Sequence, residues 1–171
     1  MFEGANVVRI DDFIAKGADQ LIAVYNLGID NRTIRSTKAN ELSSRSHLIF
    51  SLRIELNPRN GGKPIVGKMT FIDLAGSERL ARIGVSKDAY IEGLAINEGL
   101  LCLGNVIKNL SNGVPVNKID YDMHLLTKAM KDSLGGNANT LMIVNISPSI
   151  YNIRQTKETL DFAKQTGKIQ N

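Results

Sequence analysis

The sequence predicts an α/β layered sandwich, a mixed sheet with flanking helices. Three patterns carry that expectation. A period-two run at Leu48–Leu56 leads through turn residues into a second apolar run. Apolar residues recur at helical spacing over Tyr90–Leu110. A continuous apolar run, Leu141–Ile146, has the composition of a central strand buried on both faces.

The elements follow in order. Residues 16–27 carry Leu21, Ile22, Val24 and Tyr25 ahead of Gly28, which predicts a helix closed by a C-terminal glycine. Leu48, Phe50, Leu52, Ile54 and Leu56 alternate as one half-buried strand face. Asn57-Pro-Arg-Asn-Gly-Gly-Lys-Pro is turn chemistry, and Val66–Ile72 is the returning strand, so an antiparallel hairpin delivers Asp73 at its far end. In the long helix Tyr90–Leu110, Ile96, Leu100, Leu103, Ile107 and Leu110 share a face, and Asn112-Gly-Val-Pro115 stops it. A shorter helix spans Leu125–Leu134 before Gly135-Gly136. Pro148 breaks the Leu141–Ile146 strand, and Thr156–Lys168 is a terminal amphipathic helix with Leu160, Phe162, Ala163 and Ile169 inward.

The bulk composition sets the class. With 171 residues, 43% hydrophobic and 22% charged, the chain suits one globular domain, which argues against disorder and fibrous repeats. No apolar run approaches the roughly 18 residues of a spanning helix, and Met1–Asn6 shows no secretory leader, so no membrane partner is expected. A lone cysteine, Cys102, cannot form an internal disulfide and is expected in the core of the long helix. The net charge of +4 is spread without a run of four cations, so no nucleic-acid partner is implied. No His/Cys/Asp group has zinc spacing.

Two strings carry the chemistry: Asn-Glu-Leu-Ser-Ser-Arg-Ser-His at 40–47 and Asp-Leu-Ala-Gly-Ser-Glu at 73–78. Asp73, at the tip of an apolar strand, suits magnesium held through water, because Mg²⁺ dehydrates reluctantly and takes few carboxylates. Gly76 lets a backbone amide approach a terminal phosphate with no Cβ in the way. Ser43 and Ser44 offer hydroxyls to magnesium or phosphate, and Arg45 suits a planar carboxylate. His47 is expected to hydrogen-bond at the strand start and not to ligate metal. His124 is expected at the surface.

In this order and joined by a hairpin, the strings resemble the two γ-phosphate-sensing switches of the kinesin superfamily motor domain. The resemblance covers about residues 25–171. Gly28-x-x-Asn31-Arg32 looks like the family's lead-in, and Ile96-Asn97-Glu-Gly-Leu100-x-x-Leu103-Gly104-x-Val106-Ile107 like its relay helix. Leu126-Thr127-x-x-Met130-x-Asp132-Ser133-Leu134-Gly135-Gly136-Asn137 is similar to its tubulin-facing helix and exit loop. Asn145-Ile-Ser-Pro148 and Thr159-Leu160-x-Phe162-Ala163 match its last strand and helix.

The resemblance implies a kinesin-type P-loop NTPase three-layer sandwich, present in part, using ATP and Mg²⁺. It assigns Asn40, Ser43, Ser44, Asp73 and Gly76 to nucleotide, and Ser44 and Asp73 to magnesium. Arg45 and Glu78 would form the closing salt bridge, with Asn97 near the attacking water. The partner implied is the microtubule, in the cytoplasm on the cytoskeleton. The filament-facing cations would be Arg79, Arg82, Lys108, Lys118, Lys128 and Lys131. Glu98 stands where the family usually has lysine, and Asp122 and Leu125 where it has basic residues, which weakens attraction to acidic tubulin.

No Gly-x-x-x-x-Gly-Lys-Ser/Thr phosphate cradle occurs in the 171 residues. Gly62-Lys-Pro-Ile-Val-Gly67-Lys68 comes near, but Met69 offers magnesium no hydroxyl and the string runs into a strand, not a helix, so it is expected to be hairpin loop. Residues 1–171 are therefore expected to be the C-terminal half of a motor domain. Such a half would have little ATPase activity, and unpaired sheet edges would leave it needing its N-terminal half or another kinesin chain for solubility. The alternatives are a non-catalytic module that binds microtubules or a motor partner, and a truncated gene product.

Overall fold

The computed structural model describes residues 13–32, 34–35, 43–44, 46–77 and 87–171, with the backbone alone at 34–35, 43–44 and 87–96. The chain forms two compact units, one ending at Gly76 and the other beginning at Ser77.

The first unit opens with α1, Ala18–Asp30. The expected glycine stop at Gly28 is not used. The helix runs through Gly28 and ends at Asn31, whose backbone N–H and side-chain Nδ2 both donate to the Leu27 carbonyl, at 3.2 and 2.8 Å. Gly28 is small for a different reason: a Cβ there would already touch Leu48 Cδ1 at 3.4 Å, so the glycine lets α1 lie close on the sheet. Tyr25 meets Phe50 edge-on, ring centres 5.6 Å apart.

A short ladder pairs β1 (Ile34–Arg35) antiparallel with β2 (Ser43–Ser44). The main hairpin pairs β3 (Leu48–Leu56) with β4 (Ile65–Asp73), in a register that sets Leu48 against Asp73 and Leu56 against Ile65. Both strands lie where alternation placed them. Residues 57–64 form the turn and β4 begins at Ile65, so the near-cradle string, expected to be hairpin loop, is loop only to Pro64 and strand from there on, with no helix following. Leu48, Phe50 and Leu52 are half-buried on the face toward α1, whereas Ile54 and everything beyond it in β3 is exposed.

The second unit is built on α2, Lys87–Ser111, longer than the expected Tyr90–Leu110 at both ends. Its face of Cys102, Leu103, Val106, Ile107 and Leu110 forms the core with Ile119, Tyr121, Leu126, Met130 and Leu134. The chain leaves α2 through Gly113, at φ 78°, with the Val114 amide donating to Asn109.

Two expectations fail here. The helix predicted to reach Leu134 is α3, Leu125–Ala129 only. Hydrogen-bonded turns follow in place of a continued helix, and the Ala138 amide folds back to the Asp132 carbonyl. The run Leu141–Ile146 pairs with no strand among the described residues, and Leu141 and Ile143 are 85% and 77% exposed. A strand is defined by its ladder, and no described segment supplies one. The two described sheets are each two-stranded and antiparallel, so the mixed sheet is not seen among these residues.

Helix α4, Ile153–Thr166, starts earlier than predicted because a 3-10 turn at Ile150–Asn152 leads into it. Phe162, Ala163 and Ile169 are half-buried as expected, but Leu160 is 49% exposed. No helix among the described residues is long and apolar enough to cross a membrane.

Candidate functional site

The base of the β3–β4 hairpin brings the tail of the first string to the head of the second. Antiparallel pairing fixes this, since the register opposes Leu48 to Asp73 and so sets Ser46-His47 beside Asp73–Gly76. Two side chains tie the junction. His47 Nδ1 accepts the Ala75 amide at 3.0 Å, with Ala75 buried. A histidine accepting at Nδ1 is neutral and carries its proton on Nε2. Arg32 donates from Nε to the Ser46 carbonyl at 3.2 Å, and its terminal nitrogens reach the carboxylate and carbonyl oxygens of Asp73. The arginine is nearly buried, at 9% side-chain exposure, while Asp73 stays 66% exposed.

His47 thus makes the strand-start hydrogen bond read from the sequence. Arg32 and the identity of its partner were missed. The signal present was the Asn31-Arg32 pair at a helix end, but nothing local names a carboxylate 41 positions away.

The expected ligand residues are placed unevenly. Asp73 and Gly76 come together at the junction, and the Ser43 and Ser44 backbones ladder with residues 35 and 34. Asn40, Arg45, Glu78, Arg79 and Arg82 lie outside the described residues, so the Arg45–Glu78 pair does too. Asn97 lies exposed on α2 in the second unit. No group of three His, Cys, Asp or Glu able to hold a metal occurs among the described residues. The single exposed carboxylate of Asp73, with one oxygen taken by Arg32, fits a hydrated magnesium approached through water and not a protein cage.

In the second unit two of the lysines expected on a filament face, Lys128 and Lys131, have defined neighbours. Lys108 is exposed in the last turn of α2, and Lys118 ends a 3-10 turn at Val116–Lys118. Lys128 Nζ pairs with Asp122 at 3.1 Å, and Lys131 Nζ lies 5.9 Å from the centre of the Tyr121 ring. The Tyr121 hydroxyl donates to the Leu134 carbonyl, and burial pushes its pKa up. His124 is half-buried, not a plain surface residue: its Nδ1 accepts the Leu126 amide and caps α3. Its ring also fills the space over Gly99, where a Cβ would come within 2.7 Å.

The sequence profile of the kinesin motor domain matches residues 2–169. The chain belongs to the kinesin motor domain family. Among kinesin relatives, it is 42% identical over 168 residues to the kinesin-like protein Klp68D of Drosophila pseudoobscura pseudoobscura, covering 98% of this chain and 21% of that protein. It is 39% identical over 170 residues to the mouse (Mus musculus) chromosome-associated kinesin KIF4, covering 99% of this chain and 14% of the other. Among solved kinesin structures, a KIF14 dimer in the two-heads-bound state, with AMP-PNP and a microtubule, superposes at a TM-score of 0.81 with 34% identity. That match covers 91% of this chain and 44% of the KIF14 chain. The chain therefore spans about a fifth or less of the curated kinesins it matches and under half of the structural neighbour. Its α/β class is the kinesin motor fold.

Proposed function

We propose that residues 1–171 are the C-terminal half of a kinesin motor domain, carrying both phosphate-sensing switches and the tubulin-facing surface of an ATP-driven microtubule motor. The reading places it on the cytoskeleton, in the cytoplasm. The observation that carries it is the junction at the hairpin base, where Arg32 and His47 bind Ser46-His47 to Asp73–Ala75. A change at either string then moves the other, which is what a phosphate sensor needs.

Asp73, Ser43 and Ser44 would hold magnesium nucleotide, with the Gly76 amide directed at the terminal phosphate and Asn40 near the nucleotide. Bound magnesium-ATP supplies the phosphate charge that this junction detects. Roles for Arg45 and Glu78 as the closing ion pair, and for Asn97 beside the attacking water, are supported by the family resemblance alone. Lys108, Lys118, Lys128 and Lys131, with Arg79 and Arg82, would meet tubulin. The 171 residues hold no phosphate cradle of their own, so weak nucleotide affinity is expected of them alone.

The test is microtubule co-sedimentation with AMP-PNP or ADP, for the chain mixed with a cradle-bearing N-terminal motor half. Pelleting should depend on nucleotide, and Gly76→Ala should remove most of that dependence. Pelleting that ignores both nucleotide and the Gly76 change would instead support a non-catalytic microtubule-binding module.

A further inference from the structure

The ion pair between Asp122 and Lys128 lies on the surface proposed to meet tubulin, and both partners are well exposed, at 78% and 65% of the side chain. Exposed pairs are weak on average, because two long side chains must be held in place. Here the backbones beneath them are already fixed. Asp122 belongs to the 3-10 turn Tyr121–Met123, and its amide donates to Asp120 Oδ1 at 3.1 Å. That turn is anchored by buried Tyr121, whose hydroxyl reaches the Leu134 carbonyl. Lys128 follows Thr127, which is fully buried and hydrogen-bonds the Tyr121 and His124 carbonyls at 2.7 and 2.8 Å. The turn and α3 are thus clamped to each other, so the cost of holding the pair falls mainly on the lysine side chain.

The surrounding charge points the same way. Between residues 118 and 132 the lysines at 118, 128 and 131 are matched one for one by aspartates at 120, 122 and 132. Lys131 also has a partner within the chain, the Tyr121 ring. A strip of this kind attracts an acidic surface far less than its lysines alone would suggest.

We propose that Asp122 is an affinity-limiting residue that masks Lys128 from the acidic surface of the filament. An incoming filament carboxylate has to displace Asp122 before Lys128 can bind it, and Asp122 then faces that carboxylate with like charge. The proposal rests on the reading that this surface docks on tubulin, and it adds a specific intramolecular competitor to that reading.

The experiment is microtubule co-sedimentation of the whole chain, mixed with the N-terminal motor half, as wild type, Asp122→Asn, Lys128→Gln and the double variant, between low and physiological KCl. Asp122→Asn should tighten binding about 3- to 10-fold at low salt, with the gain fading as salt rises. In the Lys128→Gln background most of the gain from Asp122→Asn should be lost. An equal gain from Asp122→Asn with and without Lys128 would mean simple repulsion and overturn the masking claim. So would no gain at all while the wild type pellets. If neither wild type nor Asp122→Asn pellets at low salt, the docking reading itself falls and takes the masking claim with it.

Discussion

Arg32 is a nearly buried guanidinium that spans the Ser46 carbonyl and both the side chain and main chain of Asp73, so its loss should be felt at both strings. Arg32→Ala leaves those acceptors without their donor and should cost about 1–3 kcal/mol, read as a lower urea midpoint. Arg32→Lys keeps the charge but not the planar fork, and should recover less than half of the loss. Full recovery by lysine would show that charge alone matters and that the multi-point geometry does not. Residue chemistry was only partly legible in the sequence. The acid at a strand tip, the bare glycine and the histidine at a strand start could each be read from local pattern. The arginine could not be, because its acceptors are set by hairpin register and not by anything adjacent to it.

Elements were legible wherever their stability is local. The Leu48–Leu56 alternation and the turn residues after it determine a hairpin without outside help, and α2 follows from its apolar face and from the stop at Gly113. Leu141–Ile146 shows the limit: an apolar run states that a segment can be a strand, while the ladder that makes it one belongs to its neighbours. The length of α3 was misread because turns from Met130 onward, with Gly135 at φ 78° and the Ala138 amide bonded back to the Asp132 carbonyl, stand where the helix was expected to continue. Packing between α2 and α3 is testable through Gly99, over which the His124 ring sits. Gly99→Ala should push His124 away, weaken the α3 cap and loosen the core around Cys102. The single cysteine reports this. Burial raises the Cys102 pKa, with Glu98 and then Asp120 adding to the effect, so at pH 8 the thiol is protonated and enclosed. Labelling by a thiol reagent at pH 8 should therefore be slow in the wild type and several-fold faster in Gly99→Ala. Unchanged labelling would show that α2 and α3 do not depend on this contact.

At the scale of the whole molecule, two units divide within the Asp73–Glu78 string itself, one ending at Gly76 and the other starting at Ser77. The family and its α/β class were legible because several separate motifs agree in order and spacing, a pattern that chance rarely produces. The charge of the surface proposed to face the filament was legible in the sequence as lysines offset by acids such as Asp122. The Asp122–Lys128 contact is a property of the folded surface. What joins the two strings is the junction in the first unit, and its most exposed element is one hydrogen bond. Amide hydrogen exchange at Ala75, followed by NMR, measures it directly. The Ala75 amide should be strongly protected in the wild type and should lose most of that protection in His47→Ala, with the hydrogen-bonded amides in the middle of the β3–β4 ladder unchanged. Exchange of the wild-type Ala75 amide at the rate of an open loop would mean that the strings are not joined, and the phosphate-sensing assignment would lose its footing.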